Sequence, residues 1–134
     1  MIGRLNHVAI AVPSVDIASE KYKNILGAKI SEPKRLIEHG VTTIFVEMDN
    51  TKIELIEPLG DNSPISSFLS KHPAGGIHHV CYEVKDIKSA CVILEKEGVK
   101  ILGSGNPTIG AHGKQVVFLS PKDFNGTLIE LEEI

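Results

Sequence analysis

Residues 5–12 read LNHVAIAV and residues 77–84 read IHHVCYEV. Both are apolar and β-branched, and each sets a histidine before a valine: His7 and His79, 72 residues apart. A second echo lies downstream. KIELIE (52–57) and LIELEE (128–133) carry Glu54 and Glu130, 76 residues apart, and GAKI (27–30) matches GVKI (98–101). Landmarks repeated in one order at a nearly constant offset mark an internal duplication, which is read before any local pattern.

Each half spells the same elements. In the first, Leu5 to Val12 reads as a strand that Pro13 stops. Val15, Ala18, Tyr22, Ile25 and Leu26 then recur at helical spacing, and Gly27 supplies the left-handed residue that closes a helix. Ala28 to Leu36 reads as a short strand. Val41 to Met48 and Lys52 to Glu57 form a hairpin turning at Asp49-Asn50. In the second half, Ile77 to Val84 is a strand, and Ile87, Ala90, Cys91 and Leu94 mark one helix face. Gly98 closes that helix. Strands follow at Val99 to Leu102, Gln115 to Leu119 and Thr127 to Glu132. The fold class is α+β, built from two tandem βαβββ modules. They span about 1–60 and about 75–134, with a linker at about 60–76 whose Ile65, Phe68 and Leu69 mark a short helix.

Strand parity places the histidines, because side chains alternate faces. Val8, Ile10 and Val12 share the face that packs on a helix; His7, Ala9 and Ala11 share the other, where two alanines leave room for a ligand. Val80, Tyr82 and Val84 oppose His79, Cys81 and Glu83. Glu54 and Glu130 each lie in an Ile-Glu-Leu triplet whose apolar members face the core, so each glutamate points where its histidine points. Burying a carboxylate without a partner costs several kcal/mol, and a cation removes that cost for two carboxylates at once. His7, Glu54, His79 and Glu130 are therefore the candidate metal ligands. Two nitrogens and two oxygens, with no thiolate, do not make the usual closed structural zinc site; they suit Co²⁺, Mn²⁺, Ni²⁺, Zn²⁺ or Mg²⁺ with substrate or water completing the shell.

Other features are weaker. His78 points away from His79, and His39 and His72 are read as loop residues. His112 lies in the glycine-rich GSGNPTIGAHGK (103–114), which is neither a P-loop nor a dinucleotide fingerprint. Its amides with His112 and Lys114 could cover a substrate carboxylate or thioester, or the segment is a plain connector. The chain has 14 Lys+Arg against 17 Asp+Glu, a net charge of −3, and six aromatic residues. Without a basic stripe it is not expected to bind nucleic acid, and no apolar run approaches the ~20 residues of a membrane span. Cys81 and Cys91 make no disulfide framework, and Cys91 falls on a helix's apolar stripe. The N-terminus has no signal-peptide layout. A reducing cytoplasm is expected, or an organelle matrix after removal of a transit peptide.

These residues resemble the vicinal oxygen chelate superfamily (glyoxalase, bleomycin-resistance and dioxygenase proteins), and within it the methylmalonyl-CoA epimerases. The resemblance to that branch covers nearly the whole chain, through LNHVAIAVPS (5–14), EHGV (38–41), NTKIELIEPLGDNSPI (50–65), AGGIHHVCYEV (74–84), GAHGKQVVFLSPKD (110–123) and GTLIELEE (126–133). It implies a single glyoxalase-like domain over 1–134, with a curved, mostly antiparallel sheet around a metal site. It also implies His7, Glu54, His79 and Glu130 as ligands, Co²⁺ as the favoured ion, and a homodimer. Some epimerases carry glutamine at the position of Glu54. Some carry a catalytic glutamate where this chain has Thr43, which cannot serve as a base; Glu47, on the same strand face, is a substitute to consider. The implied substrate is methylmalonyl-CoA, whose C2 proton lies between a thioester and a carboxylate. Glu130 is expected to be ligand and base, with Glu54 or a water-bridged acid on the opposite face. The rival readings are a glyoxalase I-type lyase, a non-catalytic small-molecule binding module, and an extradiol dioxygenase. The last needs only two histidines and one carboxylate.

Overall fold

A computed structural model describes all 134 residues and divides into two compact units, one of His7–His78 and one of Met1–Asn6 with His79–Ile134. The first strand, β1 (Ile2–Ala11), contributes its last five residues to the first unit and its first five to the second.

In the first unit β1 is followed by α1 (Val15–Asn24), β2 (Lys29–Ile30), β3 (Lys34–Leu36), β4 (Val41–Glu47), β5 (Lys52–Pro58) and α2 (Ser66–Lys71). The strands run in the order β2-β4-β5-β1, with β3 also on β4. β1 lies parallel to β5 and the remaining pairs are antiparallel. After Pro13, Ser14 caps α1: its Oγ accepts the Ile17 N–H at 3.2 Å. One face of the sheet packs on α1 through Val12, Val15, Ile44, Val46 and Leu55, with Ile10, Ala18 and Tyr22 around them, as the strand parity predicts. Ile25 and Leu26 depart from the expected helix stripe and are exposed. The helix ends at Asn24, and Gly27 at φ +66 turns the Ala28 N–H back onto the Tyr22 carbonyl, so the 3.6-residue period no longer applies to them. The strand expected over 28–36 is split into β2 and β3 around Pro33, which has no N–H to give a ladder. His39 lies in a short 3₁₀ turn, Ile37–His39, rather than in a loop.

The other face of this sheet carries Ala9, Ala11, Val41 and Ile56, and Ile65, Phe68 and Leu69 pack against them. The space expected beside the two alanines is thus filled by the segment leading into and through α2. Gly75 secures this approach. It has φ +95, and a Cβ there would come within 2.5 Å of the Ala11 carbonyl oxygen.

The second unit holds β6 (Gly76–Val84) from His79 onward, α3 (Ile87–Lys96), β7 (Thr108–Ile109), β8 (Gln115–Leu119) and β9 (Ile129–Glu133). Here the order is β6-β9-β8-β7, with the start of β1 beside β6. β6 and β9 are parallel, and the hairpin pairs are antiparallel. Asp86 caps α3 by accepting the Ser89 N–H at 2.9 Å and the Ser89 hydroxyl at 2.8 Å. Glu133 accepts the Ile87 N–H at 2.9 Å. The expected helix face, Ile87, Ala90, Cys91 and Leu94, is buried against Val84, Val117, Leu119, Ile129 and Leu131. Burial pushes the Cys91 thiol up, which leaves it inert. Residues 99–102 form no strand and make only a bridge from Ile101 to Leu119. The hairpin partner of β8 is instead β7, inside the glycine-rich segment, where only two residues carry a strand signal.

Candidate functional site

Each unit buries one histidine against one glutamate. In the first, His7 stands on β1, and Glu54 on β5 lies in register with Ala9, two residues beyond His7 on the same face. His7 Nε2 is 3.0 Å from Glu54 Oε2, and the residues are 1% and 5% exposed. In the second, His79 stands on β6, and Glu130 on β9 lies in register with Cys81, again two residues beyond its histidine. His79 Nε2 is 3.0 Å from Glu130 Oε2, and each residue is 5% exposed. Parallel pairing of the first and last strands of a βαβββ unit, in the same register both times, makes the two pairs equivalent. Within each pair an imidazole nitrogen and a carboxylate oxygen converge, both of them donor types that divalent metal ions accept.

Two phenylalanines hold the imidazoles. Phe45 on β4 lies directly across from Glu54, and Phe118 on β8 across from Glu130. His7 meets the Phe45 ring nearly perpendicularly at 6.3 Å between centroids, and His79 meets Phe118 likewise at 5.4 Å. Edge-to-face contacts of this kind limit rotation of the ring. Neither phenylalanine stands out in the sequence, although Phe45 and Phe118 repeat at an offset of 73, close to the offsets of the histidines and the glutamates.

Around the glutamates the two units part company. The Thr43 hydroxyl, fully buried, donates to Glu54 Oε1 at 3.1 Å. Thr43 therefore supports the carboxylate rather than replacing a base. Glu47 is exposed and pairs with Lys29 at 3.2 Å. In the second unit Val116 occupies the place corresponding to Thr43. A further buried carboxylate, Glu132, stands on β9 two residues beyond Glu130 and is 4% exposed. It receives His112 Nδ1 at 2.8 Å and the Asn6 amide at 3.4 Å, while Asn6 also donates to Glu83 at 3.2 Å. In sequence His112 is one residue of a glycine-rich loop, and no local pattern pairs it with Glu132, 20 residues away. His78 and His72 flank the Phe68 ring, at 5.2 Å and 4.4 Å, and serve the packing of α2.

Residues 6–118 match the profile of the Glyoxalase/Bleomycin resistance protein/Dioxygenase superfamily. The chain belongs to this superfamily. It is 60% identical over 134 residues, the whole of both chains, to the ethylmalonyl-CoA/methylmalonyl-CoA epimerase of Cereibacter sphaeroides. It is 55% identical to the human mitochondrial methylmalonyl-CoA epimerase over 132 residues, 98% of this chain and 74% of the human one. A solved methylmalonyl-CoA epimerase in complex with methylmalonyl-CoA and NH4+ superposes with a TM-score of 0.91 at 26% identity, covering 99% of this chain and 95% of that one. The expected α+β fold of the superfamily is therefore the fold of this chain.

Proposed function

We propose that this protein is a methylmalonyl-CoA epimerase, an isomerase that interconverts the 2R and 2S thioesters by moving the proton on C2. The observation that carries the reading is identity above one half to epimerases along 98% or more of the chain, joined to a buried His–Glu pair in each unit. A glyoxalase I-type lyase would use similar groups, but the relatives that share most of this sequence are epimerases. A mere binding module would not need a carboxylate poised beside an imidazole in both halves.

We propose further that the duplicated modules act as one glyoxalase-like domain over 1–134, in which His7, Glu54, His79 and Glu130 hold one divalent ion. The donor set fits: two nitrogens and two carboxylate oxygens, all buried, with no thiolate. When bound, such an ion supplies Lewis-acid stabilisation of the negative charge that develops on the thioester oxygen. Co²⁺ is the ion the resemblance favours, with Mn²⁺, Ni²⁺, Zn²⁺ and Mg²⁺ as alternatives. Glu130 accepts the C2 proton, and inversion requires a second proton carrier on the opposite face, for which Glu54 is one candidate. Phe45 and Phe118 orient the imidazoles, and Thr43 fixes the Glu54 carboxylate. No helix is long and apolar enough to cross a membrane. The two cysteines are buried and form no disulfide, which accords with a reducing compartment, and a homodimer is the expected assembly, to be checked by light scattering.

The deciding experiment is ¹H NMR of methylmalonyl-CoA in D₂O. Loss of the C2 proton signal above the enzyme-free rate, abolished by Glu130→Ala and by chelator, is the expected result. Absence of exchange with every candidate ion would overturn the epimerase.

A further inference from the structure

Inversion at one carbon by two groups needs a carrier on each face of the planar intermediate. We infer that the carrier opposite Glu130 is His112, held in place by Glu132. This rests on the epimerase reading and names a residue that reading leaves open.

Four observations in the second unit support the inference. Glu132 lies two residues beyond Glu130, about 6.6 Å along β9 on the same strand face, so a ring seated on Glu132 stands on the same side of the sheet as Glu130. Glu132 is buried and already receives both His112 Nδ1 and the Asn6 amide, which commits it to holding rather than to proton traffic. The His112 side chain is 26% exposed, enough to meet a substrate. An imidazole whose Nδ1 rests on a buried carboxylate is held in one orientation, the second-group support that a proton-carrying histidine uses.

The loop is built to present that ring. Gly113 N–H bonds the Gly110 carbonyl at 3.1 Å and Gly110 N–H bonds the Lys114 carbonyl at 2.8 Å, closing a tight turn with His112 at its tip. Gly113 takes φ +72, and a Cβ on Gly110 would fall 2.7 Å from Val116 Cγ1, so the turn must sit flat on β8. In the first unit the alternatives are otherwise engaged. Thr43 donates to Glu54, and Glu47 pairs with Lys29 at the surface.

The test starts from each pure epimer in D₂O and follows deuterium incorporation and inversion separately. The wild-type protein exchanges and inverts both; if it does neither, the epimerase reading itself fails. In His112→Gln the epimer whose C2 proton faces Glu130 should still exchange, returning deuterium to the same face without inverting. The other epimer should neither exchange nor invert, with its rate down about 10²–10⁴-fold. Glu132→Gln should show the same one-sided loss to a smaller extent, because it weakens only the seating of the ring. The exchange that survives also reports that each variant is folded. Equal loss for both epimers, or inversion of both at the wild-type rate, would overturn the role of His112. One-sided loss in Glu54→Gln instead would transfer the role to Glu54.

Discussion

The two units carry the same histidine–glutamate pair, with the same 3.0 Å contact and the same strand register, yet they surround it differently. In the first unit a neutral hydroxyl, Thr43, backs the carboxylate. In the second, the place of Thr43 belongs to Val116, and polar contact is moved two residues along β9 to Glu132, His112 and Asn6. A duplication fixes the geometry that must be symmetric and leaves the surroundings to diverge. Under the proposed function the repeated part would serve an ion, and the unrepeated part an asymmetric substrate, whose thioester and carboxylate ends are not alike. On this reading the first unit chiefly holds and the second unit chiefly moves protons.

The largest effect should come from setting the two glutamates against each other. Glu130→Gln keeps a ligand oxygen but removes the base, and kcat should fall about 10²–10⁴-fold. Glu54→Gln also keeps an oxygen, and a carboxylate whose work is to hold should be missed far less. Rates measured beside bound metal per protein separate chemistry from ion loss. Equal falls in the two variants would break the division of labour.

Next in size is Thr43→Val. Removing the group that orients a ligand usually costs about 10–100-fold in metal affinity, so competition with a chromogenic chelator should show a drop of that order. His112→Gln should leave the affinity near the wild-type value, because its carboxylate partner is Glu132, a residue outside the proposed ligand set. A comparable loss in both variants would argue that each buried carboxylate serves the ion.

Smaller again is a test of the close approach beside Ala11. Gly75→Ala forces a side chain into a left-handed backbone against the Ala11 carbonyl, a strain of about 1–3 kcal/mol. Urea denaturation should show it as a lower midpoint. Gly98→Ala shares the positive φ but has nothing within 4 Å of the added Cβ, so it should cost less. The difference between the two measures the close approach alone.

Much of this was legible in the chain because it rests on period and repetition. Parity along LNHVAIAV sends His7 one way and Ile10 and Val12 the other, onto α1, although it is the face of His7, Ala9 and Ala11 that is fully buried while Val8 and Ile10 are half-buried. The Ile87, Ala90, Cys91 and Leu94 face is also where the periodicity puts it. What escaped depends on contacts distant in sequence. Ile25 and Leu26 fit a helical period that the backbone abandons at Asn24. Ala9 and Ala11 signalled room, but the identity of what fills it, Ile65, Phe68 and Leu69, lies over 50 residues away. Thr108 and Ile109 are too few to announce a strand, and they exist as one because β8 supplies a ladder. The Glu132–His112 contact joins a strand to a hairpin tip, and neither residue alone differs from a solvated glutamate or a loop histidine.

The smallest effect sharpens the same comparison at the helix starts. α1 is capped by a hydroxyl, Ser14, and α3 by a carboxylate, Asp86. Ser14→Ala should cost about 1 kcal/mol at any pH. Asp86 behaves otherwise. The backbone N–H and hydroxyl of Ser89 hold its carboxyl below the usual carboxylate range. A carboxyl depressed in the folded state contributes stability that is present above its unfolded pKa, about 3.9, and is lost as pH falls through the lower folded value. Amide exchange in the first turn of α3, corrected for intrinsic rates, should therefore quicken below about pH 4, while the first turn of α1 keeps its protection. Asp86→Ser should flatten the response of α3, and Ser14→Asp should confer it on α1. Glu133 also accepts an N–H at the start of α3, so any slope left in Asp86→Ser measures its share. If α1 and α3 lose protection together in the wild-type protein, the caps are not what distinguishes the two helices in acid.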